Sequence, residues 1–404
     1  MLNIFGRIAG RRAIALAAFS TLIGITNTPA MAADPGSERD PVVLSFSTVG
    51  DSRQDPITFD PTSAPLSGQD KIWLQNTKAW SRILRSVQAQ KSNLLFFNGD
   101  MVHGYGWAGY GYTSNLAGSA ISAPTEPATV NDILNSDLVK FYTQYAFWRG
   151  MVAPVMETGT YIVPVPGNHE TQCKACGKKA KEENEIAWRA NMGDLIIDTA
   201  RFKATVGIDA SNINVGDNKA ADNIATDQSQ LSYSFDVGNV HFAVVNTDPV
   251  GKDNTAPAAW LASDLAAAKS RGTRHFFVFG HKPAYTYSYA VSGTTPAAGL
   301  DVSIATRDAF WNVIESHGAT YFCGHEHVFN MAQPKGSAWQ VLVGAGGSPF
   351  DVKAGDASLN PATDRTYSWA TVAVRKSGTV EITAYGFNEN YGPTQVLQRV
   401  NLFH

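Results

Sequence analysis

The sequence predicts an α/β fold. Five apolar runs rich in valine, phenylalanine and tyrosine each stop abruptly at a polar loop containing glycine, and segments with helical spacing lie between some of them. Alternation of strand and helix argues for a sheet with crossover connections. In chain order, "VVLSFSTV" runs into Gly50-Asp51, "NLLFF" into Asn98-Gly99-Asp100, "YIVPVP" into Gly167-Asn168-His169-Glu170, "HFFVF" into Gly280-His281, and "ATYFC" into Gly324-His325-Glu326-His327. Each run has the length and residue content of a strand. Trp73, Thr77, Trp80, Leu84 and Val87 share one helical face, as do Phe310, Val313 and Ile314 before the last run. "YSFDVGNVHFAVVNTD" reads as a hairpin turning at Gly238-Asn239. The segments "WQVLVGAGG", "SWATVAVRKSGTVEITAYGF" and "VLQRVNLF" look like antiparallel strands.

Composition sets the class. With 44% hydrophobic and 17% charged residues among 404, the chain reads as a soluble globular protein with a large core. The net charge is −3, and removal of Arg7, Arg11 and Arg12 with residues 1–32 leaves −6, a balance that points to no nucleic-acid or anionic-membrane partner. Those arginines precede an apolar stretch from Ala13 to Ile25 and an A-x-A pattern at Ala30 and Ala32, the layout of a secretory signal peptide over residues 1–32. About 13 apolar residues is short for a membrane span, so export with no anchor after signal removal is expected, to the periplasm or outside, by the Sec or twin-arginine route. Three cysteines exclude a disulfide framework. Cys173 and Cys176 form C-x-x-C, which in an oxidising compartment favours a local disulfide, with a half-built zinc site and a redox pair as alternatives. Cys323 lies in an apolar strand and is expected to be buried.

In α/β sheets, sites form where strands end at their carboxyl edge. The five loops bring Asp51, Asp100, Asn168, His281, His325 and His327 to such edges. Six oxygen and nitrogen donors exceed the need of a single zinc and suggest two ions sharing a carboxylate bridge, with imidazoles favouring transition metals over Mg or Ca. Residues 104–130 and 171–229 are poor in core residues and directly follow site loops, the second around a short helix near Glu182–Met192. Such stretches either shape a pocket or are insertions without structure.

The order "GD", "NGD", "GNHE", "GH", "GHEH" over residues 42–385 resembles the calcineurin-like metallophosphoesterases, nearest to their purple-acid-phosphatase-like branch, whose connecting segments "YSFDVGNVHFAVVNTD", "WLASDLAAA" and "VFGHKPAY" are also similar to. The resemblance implies a four-layer α/β/β/α sandwich of two mixed sheets formed by residues 33–404 as a single domain, with a binuclear centre of Fe, Mn or Zn on one edge. It implies Asp100 bridging both ions, Asp51 and His327 on the first, Asn168, His281 and His325 on the second, and His169 beside them without binding metal. A hydroxide shared by the ions would attack phosphorus of a small phosphate ester in line, with His169 as general acid. Glu170 either orients His169 or caps the turn that follows; Glu326, between two donors, should point away from the ions. Two positions depart from the family. Where much of it has a histidine ligand, "GDSR" puts Arg53, which cannot bind a metal and is expected to hold phosphate. Where the purple enzymes have an iron-binding tyrosine, "GDMVH" puts His103, expected as a further donor to the first ion. The motifs do not separate monoesterase from phosphodiesterase. A phosphate-ester-binding protein without turnover is disfavoured by the intact Asp100, Asn168 and His169, and a thiol redox module by the lack of a thioredoxin-like setting.

Overall fold

The computed structural model describes residues 40–56, 73–108, 136–292, 298–352 and 363–402. The proposed signal peptide and most of the 104–130 segment lie outside them. In chain order the strands are β1 (Val42–Val49), β2 (Leu94–Asn98), β3 (Tyr161–Val165), the two-residue β4 (Gln172–Cys173) and β5 (Lys179–Ala180), β6 (Ser211–Asn214), β7 (Tyr233–Val237), β8 (Val240–Val245), β9 (His275–Gly280), β10 (Thr320–Cys323), β11 (Phe329–Ala332), β12 (Gln340–Val343), β13 (Thr366–Arg375), β14 (Val380–Asn388) and β15 (Gln395–Leu402). They build two large mixed sheets, one in the order β15-β14-β13-β1-β2-β3 and one in the order β11-β12-β10-β9-β8-β7-β6. Strands β1, β2 and β3 are parallel, as are β8, β9 and β10. The five sequence runs that end in polar loops are β1, β2, β3, β9 and β10, so three belong to the first sheet and two to the second.

Phenylalanine explains why the sheets stack. Successive strand residues face opposite ways, and the inward set includes Phe46 and Phe96 from the first sheet and Phe242, Phe277, Phe279 and Phe322 from the second. The Phe46 ring lies 5.4, 5.0, 5.8 and 5.7 Å from those four in turn, and Phe96 stacks on Phe279 at 3.7 Å. The outward set packs on helices. Phe97 meets Trp80 of helix Trp73–Gln90 at 4.9 Å and Trp148 of helix Asp137–Glu157 at 5.2 Å, while Tyr321 meets Phe310 of helix Ile304–His317 at 5.0 Å. Both faces of the central strands are therefore covered, which is why they read as continuous apolar runs.

The hairpin of β7 and β8 turns at Gly238-Asn239, with Gly238 at φ +59. "WQVLV" differs from expectation: as β12 it runs parallel to β10 and is antiparallel only to β11, because the chain returns across the sheet edge before pairing. The 171–229 segment contains helix Glu182–Met192, helix Thr199–Val206 and β6. Cys173 and Cys176 form a disulfide, and Cys323 is buried and free.

Candidate metal centre

The carboxyl ends of the parallel strands in both sheets meet at one edge. Three of the loops leaving them turn through left-handed backbone at non-glycine residues, with φ +64 at Asp51, +54 at Asp100 and +72 at His325. Such angles are uncommon outside glycine and cluster where surrounding structure imposes them for function. The first two loops run side by side, Asp51 N donating to Gly99 O at 3.0 Å and Arg53 N to Asp100 O at 2.9 Å. Glycine is required at the points of closest approach. A Cβ on Gly99 would lie 2.5 Å from the His281 ring and one on Gly167 2.4 Å from the Asp100 amide.

Six of the expected donors converge. One cluster contains Asp100, His281 and His325, another Asp51, Asp100 and His327, each with donor atoms within 4.8 Å of one another, and Asp100 belongs to both. In the first, His281 Nε2 is 3.1 Å from Asp100 Oδ1, 2.8 Å from Asn168 Oδ1 and 3.1 Å from His325 Nδ1, and His325 Nδ1 is 2.8 Å from Asn168 Oδ1. In the second, His327 Nε2 is 3.5 Å from Asp51 Oδ1. Ligands about 2.1 Å from one ion stand about 3.0–3.4 Å apart in octahedral or tetrahedral arrangement, so these separations fit coordination. Proton bookkeeping agrees. His281 Nδ1 can only donate to Asn98 O (2.7 Å), so Nε2 is the nitrogen turned toward Asp100 Oδ1 and Asn168 Oδ1, where either a proton or a metal ion can sit. A cation satisfies such a set. The buried atoms Asp51 Oδ1, Asp100 Oδ2, His327 Nε2, His169 Nε2 and Arg53 Nε likewise have no hydrogen-bond partner among the described residues.

Charge follows the same pattern. Burial raises the Asp51 carboxyl, only partly offset by His327. Burial acts on Asp100 too, but His169, His281 and Arg53 outweigh it and hold that carboxyl well below the usual range. Burial would lower His281, yet Asp100 and Asp51 lift it to about 9, so in the apo site it carries a proton whose place a bound metal takes. Burial, then the charge of His281, keeps His325 neutral and ready to bind.

A supporting shell fixes these groups. Glu170 does more than cap the turn that follows. Its buried carboxylate accepts from the amides of Gly167 (2.8 Å), Asp100 (2.9 Å), Met101 (2.8 Å) and Val102 (3.2 Å), tying the Asp100 loop to the start of the short helix Asn168–Thr171. Burial, then the charge of Asp100, push it up to about 7. Glu326 turns away from the donors and accepts from the Tyr287 and Ser288 amides at 2.6 and 2.9 Å. Two supporting residues escaped the sequence reading. Tyr105 accepts from Asn168 Nδ2 at 2.5 Å, which turns Oδ1 toward the histidines, and its ring packs 3.9 Å from that of His169. Asp351 accepts from the His327 amide at 2.9 Å and lies 3.5 Å from His327 Nδ1. Tyr105 sits five residues past Asp100, and Asp351 follows a glycine-rich loop carrying no motif, so neither had a spacing that announced it.

His169 donates from Nδ1 to His103 O, which leaves Nε2 facing the centre, 3.5 Å from Asp100 Oδ2. Arg53 Nε is 3.6 Å from the same oxygen. His103 is not brought in. Its imidazole is 58% exposed and faces Asp55 at 3.8 Å, and it belongs to neither donor cluster. The cause is local pairing: Gln54 bridges Val102 and His103 N donates to Gln54 O, which directs the side chain at 103 outward and leaves its carbonyl, rather than its ring, to serve the site. In this structure the His103 imidazole thus stands apart from both donor clusters, at the rim of the same cleft.

The calcineurin-like phosphoesterase family model matches residues 73–329. Among solved structures, the chain is similar to a purple acid phosphatase from yellow lupin (Lupinus luteus) seeds, with TM-score 0.52 and 12% identity over 89% of this chain and 53% of that one. It thus spans about half the length of the lupin enzyme. A dimetal phosphatase from Danio rerio is also similar, with TM-score 0.46 and 10% identity over 88% of this chain and 99% of that one. No curated protein matches the sequence. At such identities the lupin likeness speaks to fold, and it agrees with the two stacked mixed sheets. The family-model match, over more than half of the chain, identifies it as a member of the calcineurin-like phosphoesterase family.

Proposed function

We propose that the protein is an exported hydrolase of small phosphate esters that works with two transition-metal ions. The observation that carries this reading is the sharing of Asp100 by two donor clusters, with His169 beside them and an open cleft of 420 Å³ above. Asp51, Asp100 and His327 would hold one ion, and Asp100, Asn168, His281 and His325 the other. Two bound ions supply a water-derived nucleophile near neutral pH and neutralise charge on the phosphoryl oxygens. The chain's own residues do the rest. Arg53 lines the cleft and is half-buried, positioned to hold a phosphoryl oxygen through its fork of donors. His169, its Nδ1 proton committed to the His103 carbonyl, keeps Nε2 beside Asp100; burial holds the resting ring neutral, so it would act as general acid by passing on to the leaving oxygen a proton taken up at Nε2 during the reaction. Export rests on the arginine-flanked apolar segment and the A-x-A pattern.

Release of p-nitrophenolate from p-nitrophenyl phosphate and from its bis ester, with metal analysis of the same sample, tests the proposal and separates monoester from diester preference. Turnover of either ester that is lost on chelation and restored by added metal supports it. Metal-loaded protein that turns over neither ester contradicts it.

A further inference from the structure

Three cationic side chains line the cleft over the candidate centre. They are Arg53, Lys174 and Lys178. Two acids also line it, Glu326 accepting from the Tyr287 and Ser288 amides and Asp351 from the His327 amide, and neither forms an ion pair with Lys174 or Lys178. Among the described residues neither Lys174 nor Lys178 makes an ion pair, whereas the next lysine, Lys179, lies 3.5 Å from Asp253. If two cations and Arg53 already attend the phosphoryl group undergoing hydrolysis, the two lysines are left for a different anion.

Their setting is built rather than loose. The helix bearing Asn168 and His169 runs directly into β4, and the Cys173–Cys176 disulfide closes the turn that carries Lys174. Cys176 N and Lys178 N both donate to Cys173 O, at 3.2 and 3.0 Å, and Lys174 N donates to Tyr105 O at 2.8 Å. At the far end of the turn, Ala180 N donates to Asp253 Oδ1 at 2.8 Å. Tyr105 thus joins the turn to Asn168, so the backbone that carries the lysines is held in register with the proposed metal ligands. A backbone fixed in advance loses less freedom on binding than a free loop does, and leaves the exposed lysine side chains as what must still be ordered.

We infer that the disulfide-closed turn is a second anion subsite, in which Lys174 and Lys178 receive a further phosphoryl group on the leaving portion of the substrate. The substrate class is therefore a phosphate ester bearing two phosphoryl groups. This inference rests on the proposed hydrolase reading of the same site.

The test compares kcat/KM for fructose 1,6-bisphosphate and fructose 6-phosphate, which differ by one phosphoryl group, in the wild type and in Lys174→Ser/Lys178→Ser. The wild type should prefer the bisphosphate, more strongly at low than at high ionic strength. The double variant should lower that preference by about three- to tenfold, the range for two partly exposed ion pairs. Absence of a preference in the wild type, or an unchanged ratio in the variant, overturns the subsite. Hydrolysis of p-nitrophenyl phosphate, assayed alongside, reports the hydrolase reading separately: turnover there with no bisphosphate preference refutes the subsite alone.

Discussion

At the residue scale, the candidate centre depends on a few buried groups whose partners are set by neighbours. His169 offers one nitrogen to the cleft because the other is committed to the His103 carbonyl. His169→Ala should lower kcat by about 10²–10⁴-fold for alkyl phosphates, and less for p-nitrophenyl phosphate, whose leaving group needs no proton. Equal losses on both would mean that His169 stabilises charge instead of donating a proton. Asp351 orients His327 through the backbone amide and faces its ring. Outer partners of metal-binding histidines typically carry about 10–100-fold in affinity, so Asp351→Asn should weaken binding of one ion by that order, measured by metal titration. An unchanged affinity would reduce Asp351 to a turn residue. His103 shows what spacing alone misses. Its distance from Asp100 in sequence matches a ligand position, yet pairing of the 54 and 102–103 segments, a contact across nearly fifty residues, decides where its ring goes.

At the scale of elements, β7, β8 and helix Ala258–Ser270 enclose a buried charge cluster remote from the centre's donors. His241 on β8 contacts Asp236 on β7 at 2.6 Å and Asp264 on the helix at 2.9 Å. Arg271 and Asn212 also bind Asp236, at 2.8 Å each, and Phe276 packs nearby. Burial would lower the His241 pKa, but the two carboxylates outweigh it and the net shift is upward from 6.5. A folded-state pKa above the unfolded one adds stability that is fully present below the unfolded value and lost as pH rises through the folded value. Removing one partner of a buried pair costs about 3–5 kcal/mol. His241→Gln should therefore be destabilised by that order near pH 5.5, with the gap to wild type narrowing as pH rises above about 6.5; denaturant melts across pH would show it, and a pH-independent gap would contradict it. Elements with strong local signals were legible: the five strand runs, the Gly238-Asn239 hairpin, and helix Glu182–Met192. Helix Asp137–Glu157 was not singled out, although Leu138, Phe141, Tyr145, Trp148, Val152 and Val155 are buried along it at helical spacing. Its polar face is interrupted by further aromatics and Pro154, which blur the amphipathic contrast and leave tertiary packing to decide.

At the scale of the whole molecule, the site exists because two sheets meet at one edge, and the sheets meet because their inner faces interlock through aromatic rings. Phe46 sits at the middle of that contact, fully buried among rings from both sheets. Phe46→Ala should cost about 3–5 kcal/mol in denaturant-induced unfolding, and a loss below about 1 kcal/mol would mean that the interface repacks around the gap. The order of loop motifs made the sandwich and most donors legible, since each loop follows its own strand. Which candidate donors cluster together was not legible from spacing, because it depends on how strands distant in sequence are brought together. The centre's geometry turns on Asp100, the one residue common to both donor clusters. Metal analysis of purified wild type and Asp100→Ala tests this most directly. Two ions per chain in the wild type and loss of both from the variant are expected; a variant that keeps two ions and full turnover would contradict a centre bridged by Asp100.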